Sequence, residues 1–387
     1  MKILLLASRI PYPLYNGEDL RVFHFAKNLA KRHELHFLGY NSRLVATEVE
    51  PYFKTVRTVA EKSLDGGPNG FFGFTRSFSP SEVYPFDPEI SALLKKSLHE
   101  EKFDLVWIPA WQMIPYARFI KNVRIFIDVM DDGVLELARE LRCSQSVREA
   151  AVNLKRLFVT FLFERKYLAH VSLCSLVSER DAEVFRRVCP QAKQVVIPNG
   201  VDSDYFEPLG LAEKFPSIAF EGNMGFPPSV DAVLYFYREI FPLVVEKLPE
   251  VKFYIVGKDP APEVRALASH HVVVTGYVDD VRPYLDQSSM FVCPMRKGAG
   301  IKNKILQAWA MAKPVLATTP AVGGLCATHG ENILIADEPA TFAEHTRRLL
   351  EDSELRRRLG TQGRDTVLRY HNWEQQVQVL EDQMKDL

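Results

Sequence analysis

A basic, glycine-containing turn in the last third of the chain carries residue types that bind anions. Gly298 and Gly300 flank Ala299, and Lys302 and Lys304 follow within four residues. Glycines let the backbone turn tightly and let a ligand approach it closely. The hydrophobic period predicts a helix from about Lys302, whose N-terminus presents free N–H groups and a positive dipole end. Cations there suit a bound anion. The turn predicts a phosphate or diphosphate site, with a solvated basic helix cap as the alternative.

Other polar residues follow apolar strands in the same way. Gly17 stands at the start of a helix, and Arg21 lies one turn later. This pair indicates either an anion-binding backbone turn or an ordinary glycine turn. Asp131 and Asp132 start another helix, as caps or as groups near a reacting hydroxyl. Lys258 follows a strand in the second half, where it either reaches a phosphate or is solvated. No set of residues has convincing metal-ligand spacing.

The elements that must position these residues alternate along nearly the whole chain. Continuous Val/Ile/Leu runs separated by helical patterns are typical of parallel sheets covered on both faces. The first series of predicted strands is Lys2–Ala7, Glu34–Tyr40, Asp104–Ile108, Arg124–Asp128, Val171–Ser175 and Val195–Ile197. The second is Ser217–Glu221, Lys252–Val256, Val272–Thr275, Met290–Cys293, Pro314–Ala317 and Ile333–Ala336. The predicted fold class is α/β, with two Rossmann-like, doubly wound halves.

A turn-rich segment from Pro198 to Pro208 marks the boundary between the halves. A chain of 387 residues is too long for one comfortable core. We therefore expect one domain over residues 1–200 and a second over 201–370. Residues 371–387 are expected to form a helix that packs back on the first domain.

Composition excludes several classes of protein. Lys+Arg 48 against Asp+Glu 49 leaves a net charge of −1, so no global field attracts nucleic acid. The five cysteines show no C-x-x-C spacing, which argues against zinc and for a reducing, cytoplasmic location. No run approaches the roughly 18 apolar residues of a membrane span. Two aromatic segments, Gly70–Phe78 and Lys155–Tyr167, indicate either peripheral membrane contact or core packing.

Several motifs, taken in order, resemble the family-four glycosyltransferases of GT-B architecture. They are Ile197-Pro-Asn-Gly-Val-Asp202, Gly222-Asn-Met, Ile255-Val-Gly, Thr275-Gly-Tyr-Val-Asp-Asp-Val and Lys313-Pro-Val-Leu-Ala-Thr318. The turn at 298–308 resembles the G-x-G-x-K-x-K-x-L-E-A turn of transferases from bacterial exopolysaccharide systems. The resemblance implies two Rossmann-like domains that face an interdomain cleft, which binds the donor.

The resemblance also assigns roles by position. It implies that the donor diphosphate lies on the 298–304 turn, which includes Ile301. It puts Tyr277 and Val278 near the nucleotide base, and it implies that the first-half loops bind the acceptor. Gln307 stands where the family usually has a ribose-binding Glu, and Lys297 where it has another acidic residue.

One basic residue usual in the family is absent. It normally follows the first strand of the second domain, where this chain has Asn223. Lys302, Lys304 and Lys258 are the candidates to replace its charge.

The activity implied is transfer of a sugar from a nucleotide-diphosphate donor to an acceptor hydroxyl, with retention of configuration. The nucleotide sugar is a substrate, and neither a cofactor nor a metal is expected. The acceptor is a saccharide, a lipid-linked or another hydroxyl compound, met in the cytoplasm or at the inner face of the membrane. Two alternatives remain: a catalytically weak sugar-nucleotide-binding partner of another transferase, and a GT-B-shaped sugar-nucleotide epimerase.

Overall fold

The structure, a computed structural model, describes residues 1–14, 17–41, 49–60, 87–109, 111–144, 146–169, 171–297 and 300–387. The aromatic segment 70–78 lies outside these residues. The chain divides into two compact units: Met1–Pro198 with Gln376–Leu387, and Asn199–Gln375. Each unit is an α/β layer structure around a parallel sheet, so the predicted fold class is confirmed for both.

The first unit contains a seven-stranded sheet in the order β3-β2-β1-β4-β5-β6-β7. Its strands are β1 (Lys2–Ala7), β2 (Glu34–Asn41), β3 (Thr55–Ala60), β4 (Leu105–Ile108), β5 (Arg124–Met130), β6 (Leu173–Leu176) and β7 (Gln194–Val196). Its helices are α1 (Gly17–Leu29), α2 (Pro88–Glu100), α3 (Gly133–Arg142), α4 (Val147–Tyr167) and α5 (Glu179–Val188), with 3-10 segments at Glu50–Tyr52 and Trp111–Phe119. The edge strand β3 has no counterpart among the predicted strands.

The second unit contains a six-stranded sheet in the order β10-β9-β8-β11-β12-β13. Its strands are β8 (Ser217–Glu221), β9 (Lys252–Val256), β10 (Val272–Gly276), β11 (Met290–Cys293), β12 (Val315–Ala317) and β13 (Leu334–Ile335). Its helices are α6 (Pro227–Tyr235), α7 (Phe241–Val245), α8 (Pro262–Arg265), α9 (Arg282–Gln287), α10 (Asn303–Ala310), α11 (Pro339–Glu351) and α12 (Ser353–Tyr370), and a 3-10 segment spans Thr319–Val322. Helix α13 (Trp373–Lys385) begins in this unit and ends in the first.

The helix predicted over Pro228–Lys247 is interrupted. A π-helical turn at Phe236–Ile240 separates α6 from α7. Pro242 is the second residue after that turn, and proline has no N–H to donate to a regular helix. The wider turn places Phe236 and Ile240 in the core, where both are fully buried.

A buried ion pair joins α1 to the centre of the first sheet. Arg21 and Asp128 are both 0% exposed, with Arg21 Nε 2.8 Å from Asp128 Oδ2. Arg21 Nη1 donates to the carbonyl of Ile197 at 2.8 Å, and Ser175 Oγ donates to Asp128 Oδ1 at 2.5 Å. The guanidinium lies 4.5 Å from the centre of the Phe25 ring. The structure pairs the charge of Arg21 with Asp128 in the core, and the predicted contact of Arg21 with a bound anion stays a prediction.

Asp132 is the N-cap of α3. Its Oδ1 accepts from the N–H of Leu135 at 2.6 Å, and its side chain is fully buried. The capping alternative is thus correct for Asp132, and its place beside a reacting hydroxyl stays a prediction. Asp131 is partly buried on the preceding loop, and its proposed role stays a prediction.

The carboxyl group of Glu164, from α4, meets the same helix start. A Cβ built on Gly133 would lie 3.3 Å from Glu164 Oε1. Glu164 is fully buried, and neither oxygen has a hydrogen-bond partner of good geometry among the described residues. Burial, and then the charge of Asp132, raise the pKa of Glu164 well above its usual range, against the nearby N–H groups of Val134 and Gly133. Burial is the main cause that raises the pKa of Asp132 to about 7. The hydrogen bond from the Leu135 N–H lowers this pKa, and the charge of Asp181 raises it. The pair is therefore a buried proton-binding site.

This pair predicts that the first unit loses stability as the pH rises from about 4 to about 8. The unfolded chain releases both protons near pH 4, whereas the folded chain keeps at least one until about pH 7. The stabilising contribution is therefore complete below the unfolded pKa values and is lost as the pH rises through the folded ones. In Glu164→Gln the slope of unfolding free energy against pH should be smaller, as measured by urea denaturation at pH 5, 6, 7 and 8.

The control for this experiment is Glu183→Gln on α5, a change at an exposed carboxylate paired with Arg187. It should keep the wild-type slope. Identical slopes in the wild type and Glu164→Gln would contradict the proton-binding role of the pair.

Candidate functional site

Two strand ends in the second unit approach each other more closely than any side chain would allow. Gly222 follows β8 and Gly257 follows β9, with φ of +150° and +144°. A Cβ on Gly257 would lie 1.7 Å from the Gly222 carbonyl oxygen, and the Gly222 N–H donates to Val256 at 3.0 Å. Ligands of doubly wound sheets bind beyond such carboxyl ends. The paired glycines therefore lie at the edge of the sheet where such ligands bind, with Gly222 partly buried and Gly257 buried.

Lys304 brings a positive charge to this edge. It lies in the first turn of α10, and its Nζ is 4.2 Å from the centre of the Phe220 ring. A Cβ on Gly222 would lie 2.7 Å from the same Nζ. The amine therefore occupies space that a side chain at position 222 would take, and the Phe220 ring adds a cation–π contact.

The charge of this amine affects the pKa values of two buried residues. Burial is the main cause that raises the pKa of the Cys293 thiol to about 11, and the charges of Lys304 and Lys302 oppose it. Burial also raises the pKa of Glu221, again against Lys304. Lys304 thus acts on the ends of the adjacent strands β8 and β11, and Lys302 acts on the end of β11.

The side chain of Lys302 forms a hydrogen bond within the basic turn. It is the N-cap residue of α10 without a side-chain capping bond, and it is 7% exposed. Its Nζ donates to the carbonyl of Gly300 at 2.9 Å, and Gly300 has φ +70°. Ile301 is buried. Gly298 and Ala299 lie outside the described residues, so their predicted contact with a diphosphate stays a prediction.

The other predicted residues of this unit lie at different strand ends. Asn223 is exposed, and its Oδ1 accepts from the N–H of Gly225 at 2.9 Å, which makes it part of a tight turn. The carbonyl of Lys258 accepts from Met224 at 2.9 Å, so the turns after β8 and β9 are in contact. Gln307 is partly buried in the second turn of α10.

Tyr277 and Val278 follow β10, at the edge of the sheet. One strand, β9, lies between β10 and β8. Tyr277 is 72% exposed and Val278 is partly buried. The structure therefore groups Lys302, Lys304, Asn223 and Lys258 around β8, β9 and β11, with this pair further along the same edge.

Gly17 and Asp131 belong to the first unit. Gly17 is the exposed first residue of α1. Asp131 directly follows β5, and its charge raises the pKa of Glu136, for which burial is the larger cause.

Sequence reasoning included Phe220 and Glu221 in a predicted strand but gave neither residue a role in the site. Both belong to β8, immediately before the Gly222-Asn-Met motif. The available signal was a carboxylate at the end of an otherwise apolar strand, which places a titratable group under the predicted site. The lysine that contacts Phe220 comes from 84 positions later in the numbering, so the pair itself has no local signal.

Two findings concern all the residues that the structure describes. Among them, no three His, Cys, Asp or Glu side chains are grouped so as to hold a metal ion. None of the helices they form combines the length and apolar character needed to span a membrane.

Comparison with protein families covers both units. The model of glycosyltransferase family 4 matches residues 15–205, and the model of glycosyl transferases group 1 matches residues 215–352. A Klebsiella pneumoniae protein, described as an uncharacterized 44.6 kDa protein in the cps region, is 25% identical over 138 residues, which is 33% of this chain and 36% of that one. The chain spans only 36% to 50% of the length of the first curated relatives that it matches.

Solved structures match over nearly the whole chain. Sucrose-phosphate synthase from Thermosynechococcus elongatus has a TM-score of 0.75 and 17% identity, covering 100% of this chain and 99% of that one. The HepE protein of Anabaena, solved with UDP and glucose, has a TM-score of 0.69 and 15% identity, covering 99% of each chain. At these identities the likeness is one of fold. The two family models and this fold confirm the resemblance in the sequence, and the chain belongs to the family-four glycosyltransferases of GT-B fold.

Proposed function

We propose that this protein transfers a sugar from a nucleotide-diphosphate donor to an acceptor hydroxyl, with retention of configuration, in polysaccharide or glycoconjugate synthesis. The observation that carries the proposal is the amine of Lys304 held against the backbone of Gly222. The HepE protein of Anabaena forms a complex with UDP and glucose, and the Klebsiella relative belongs to a cps region. The first observation supports a nucleotide sugar as donor, and the second supports a polysaccharide as product.

Lys304 would supply a positive charge at the end of β8, where the neighbouring loop residue Asn223 is neutral. Family members usually carry a basic residue after the first strand of this domain, where Asn223 instead closes a turn with Gly225. Lys304 reaches the same strand end from α10, on the side of β11. A diphosphate over Gly222 would therefore meet a cation although position 223 is neutral.

The proposed chemistry uses charge that grows during the reaction. The bond from the sugar carbon to the diphosphate oxygen breaks, and a bond from that carbon to the acceptor oxygen forms. The acceptor hydroxyl proton passes to the departing phosphate, so no dedicated base is required. The leaving diphosphate gains negative charge in the transition state, and preorganised amines and N–H groups stabilise that charge more than the ground state.

A second candidate function is a catalytically weak sugar-nucleotide-binding partner of another transferase. It is favoured by Gln307 and Lys297, which stand where the family usually has acidic residues. Donor hydrolysis and transfer, measured with a panel of UDP- and GDP-sugars, distinguish the two. Turnover with any acceptor supports the transferase, and tight donor binding without turnover supports the partner.

The acceptor is proposed to be a saccharide or a lipid-linked hydroxyl compound. A lipid-linked acceptor would require the protein to work in the cytoplasm at the inner face of the membrane, in peripheral contact with it. A soluble saccharide would require no such contact.

We expect Lys304→Ala to lower kcat/KM for the donor about ten- to a hundredfold without unfolding the protein. A hydrogen bond to a charged group contributes about 1.5–3 kcal/mol, and this one would strengthen as the diphosphate leaves. Lys302→Ala should have the smaller effect, because its amine is engaged with the Gly300 carbonyl. Steady-state kinetics and thermal melting of both variants provide the measurement.

Lys247→Ala is the matched control, since Lys247 is an exposed lysine of the same unit that pairs with Glu246. It should behave as the wild type. Wild-type kinetics in both Lys304→Ala and Lys302→Ala would show that the diphosphate binds elsewhere.

Transfer is expected to proceed without a divalent metal. Two lysines already act at the ends of β8 and β11 and can neutralise the leaving group. Activity measured after exhaustive treatment with a chelator should equal that of the untreated enzyme. Loss of activity that magnesium or manganese restores would show that a metal carries the charge instead.

Gln307→Leu is expected to raise the donor dissociation constant about five- to a hundredfold. If Gln307 binds the ribose hydroxyls, the variant leaves them unpaired at a cost of about 1–3 kcal/mol. Gln307→Glu should bind the donor as tightly or more tightly, because a carboxylate accepts hydroxyl hydrogens more strongly. Calorimetry with wild type and both variants measures this, with Gln362→Leu on the exposed side of α12 as the control. Unchanged affinity in Gln307→Leu would exclude a ribose contact.

A further inference from the structure

The loop that follows β10 contributes no buried side chain to the core of the second unit. None of residues 273–284, all of which the structure describes, is buried, and Tyr277 is 72% exposed. β10 is the edge strand of its sheet, and its register with β9 shifts between Val274 and Gly276. A segment with few buried apolar contacts has little local stability of its own. The conformation of this loop therefore depends on polar contacts.

Arg282, the first residue of α9, supplies such contacts to Asp280 in the loop. Its Nη2 donates to Asp280 Oδ2 at 2.8 Å, and its Nε donates to Asp280 Oδ1 at 3.0 Å. Its backbone N–H also donates to Oδ1, at 2.9 Å. Hydrogen bonds from the Arg282 side chain are the main cause that lowers the pKa of Asp280, so the carboxylate keeps its charge. A guanidinium that binds a carboxylate through two N–H groups fixes the orientation of both groups.

The same guanidinium binds Tyr205, in the segment that follows the boundary between the units. Its Nη1 donates to the Tyr205 carbonyl at 2.9 Å, and its central carbon lies 3.8 Å from the centre of the Tyr205 ring. The Tyr205 N–H donates to Asp202 Oδ1 at 3.1 Å. An isolated surface ion pair stabilises a protein little, whereas a two-bond pair stacked on an aromatic ring is held in one geometry. Arg282 therefore joins the loop after β10 to a second segment of the chain.

This loop lies at the edge of the sheet where the proposed function places the donor. Only β9 lies between β10 and β8 in the sheet. Since neighbouring strands are about 4.8 Å apart, the ends of β8 and β10 are separated by about 10 Å. The ribose of a nucleotide bridges a gap of this order between its diphosphate and its base. A donor with its diphosphate over Gly222 would therefore bring its base to Tyr277 and Val278.

We propose that Arg282 is a positioning residue for the nucleotide part of the donor. It joins Asp280 to Tyr205 and so holds residues 277–281 in the conformation that binds the base, while its own side chain is engaged with those two partners. A loop that adopts the competent conformation for only a fraction of the time weakens binding by that same factor. The inference rests on the proposed function, because it requires a nucleotide donor bound by the second unit.

The test is calorimetric titration of the full chain with UDP, GDP and inorganic pyrophosphate. Arg282→Ala should raise the dissociation constant of the nucleotide that the wild type binds about tenfold or more, since the loop would be ordered for only part of the time. The dissociation constant of pyrophosphate, which has no base, should change less than about twofold. A role in the general stability of the unit would instead weaken the binding of both ligands.

Two further positions separate the geometry of Arg282 from its charge. Arg282→Lys keeps the positive charge but loses the planar fork, so it should bind the nucleotide about as weakly as Arg282→Ala. Tyr205→Ala should also weaken nucleotide binding, and Tyr205→Phe, which keeps the ring, should restore it. The matched control is Arg357→Ala, because Arg357 is an exposed arginine of the same unit that pairs with Glu354. Melting curves of all variants check folding.

Amide hydrogen exchange of residues 277–281 in the free protein provides a readout that needs no ligand. Exchange should be faster in Arg282→Ala than in the wild type, because the loop has lost the contact that orders it. Unchanged exchange would overturn the proposal.

The role of Arg282 and the proposed function can fail separately. Unchanged nucleotide affinity in Arg282→Ala, equal losses of nucleotide and pyrophosphate affinity, or wild-type affinity in Arg282→Lys would overturn the role of Arg282 and leave the nucleotide donor in place. A wild type that binds neither UDP nor GDP would contradict the proposed function, and this role of Arg282 with it.

Discussion

The candidate site depends on the absence of a side chain at Gly222. The backbone there adopts a conformation that L side chains rarely take, and its carbonyl lies where a Cβ on Gly257 would collide. Only with hydrogen at both positions can β8 and β9 end side by side and leave room for the Lys304 amine. The Phe220 ring then fixes that amine from the core side. A charge carried by a distant helix thus reaches the strand end whose own loop residue, Asn223, is neutral.

In the first unit, two buried pairs of polar side chains connect helices to the core. The Arg21–Asp128 pair and the Asp132–Glu164 pair are both fully buried, but their electrostatics are opposite. Opposite charges stabilise each other in a medium of low polarity, whereas two carboxyl groups there must keep a proton. The second pair lies beside the apolar core that Val159 and Phe163 of α4 enter, so this helix buries a carboxyl group together with its apolar residues.

The sequence predicted the buried strands well, because a parallel strand covered on both faces is a continuous apolar run, as in β1, β4 and β11. It did not predict β3, an edge strand whose side chains are mostly half-buried and whose Thr55-Val-Arg-Thr-Val-Ala60 pattern is weakly apolar. It offered Arg21 as one possible anion contact and did not predict its pairing with Asp128, because a partner 107 positions away leaves no local pattern. The contact of Glu164 with the start of α3 was not predicted for the same reason. Lys302 and Lys304 were found because their spacing from the glycines is local, whereas the contact of Lys304 with Phe220 depends on strand order, which the sequence does not state.

The path of the chain between the two units has a consequence for biosynthesis. The first unit consists of Met1–Pro198 and Gln376–Leu387, and the second is contiguous from Asn199 to Gln375. Glu381, on α13, binds Arg32 and His33 at 2.8 and 2.9 Å, and Val377 and Leu380 are fully buried. During translation, residues 1–198 therefore cannot complete their packing until the ribosome has synthesised residues 199–375 and then α13. The second unit needs no later residue and can complete its core first, against the usual N-terminal-first order of folding domains.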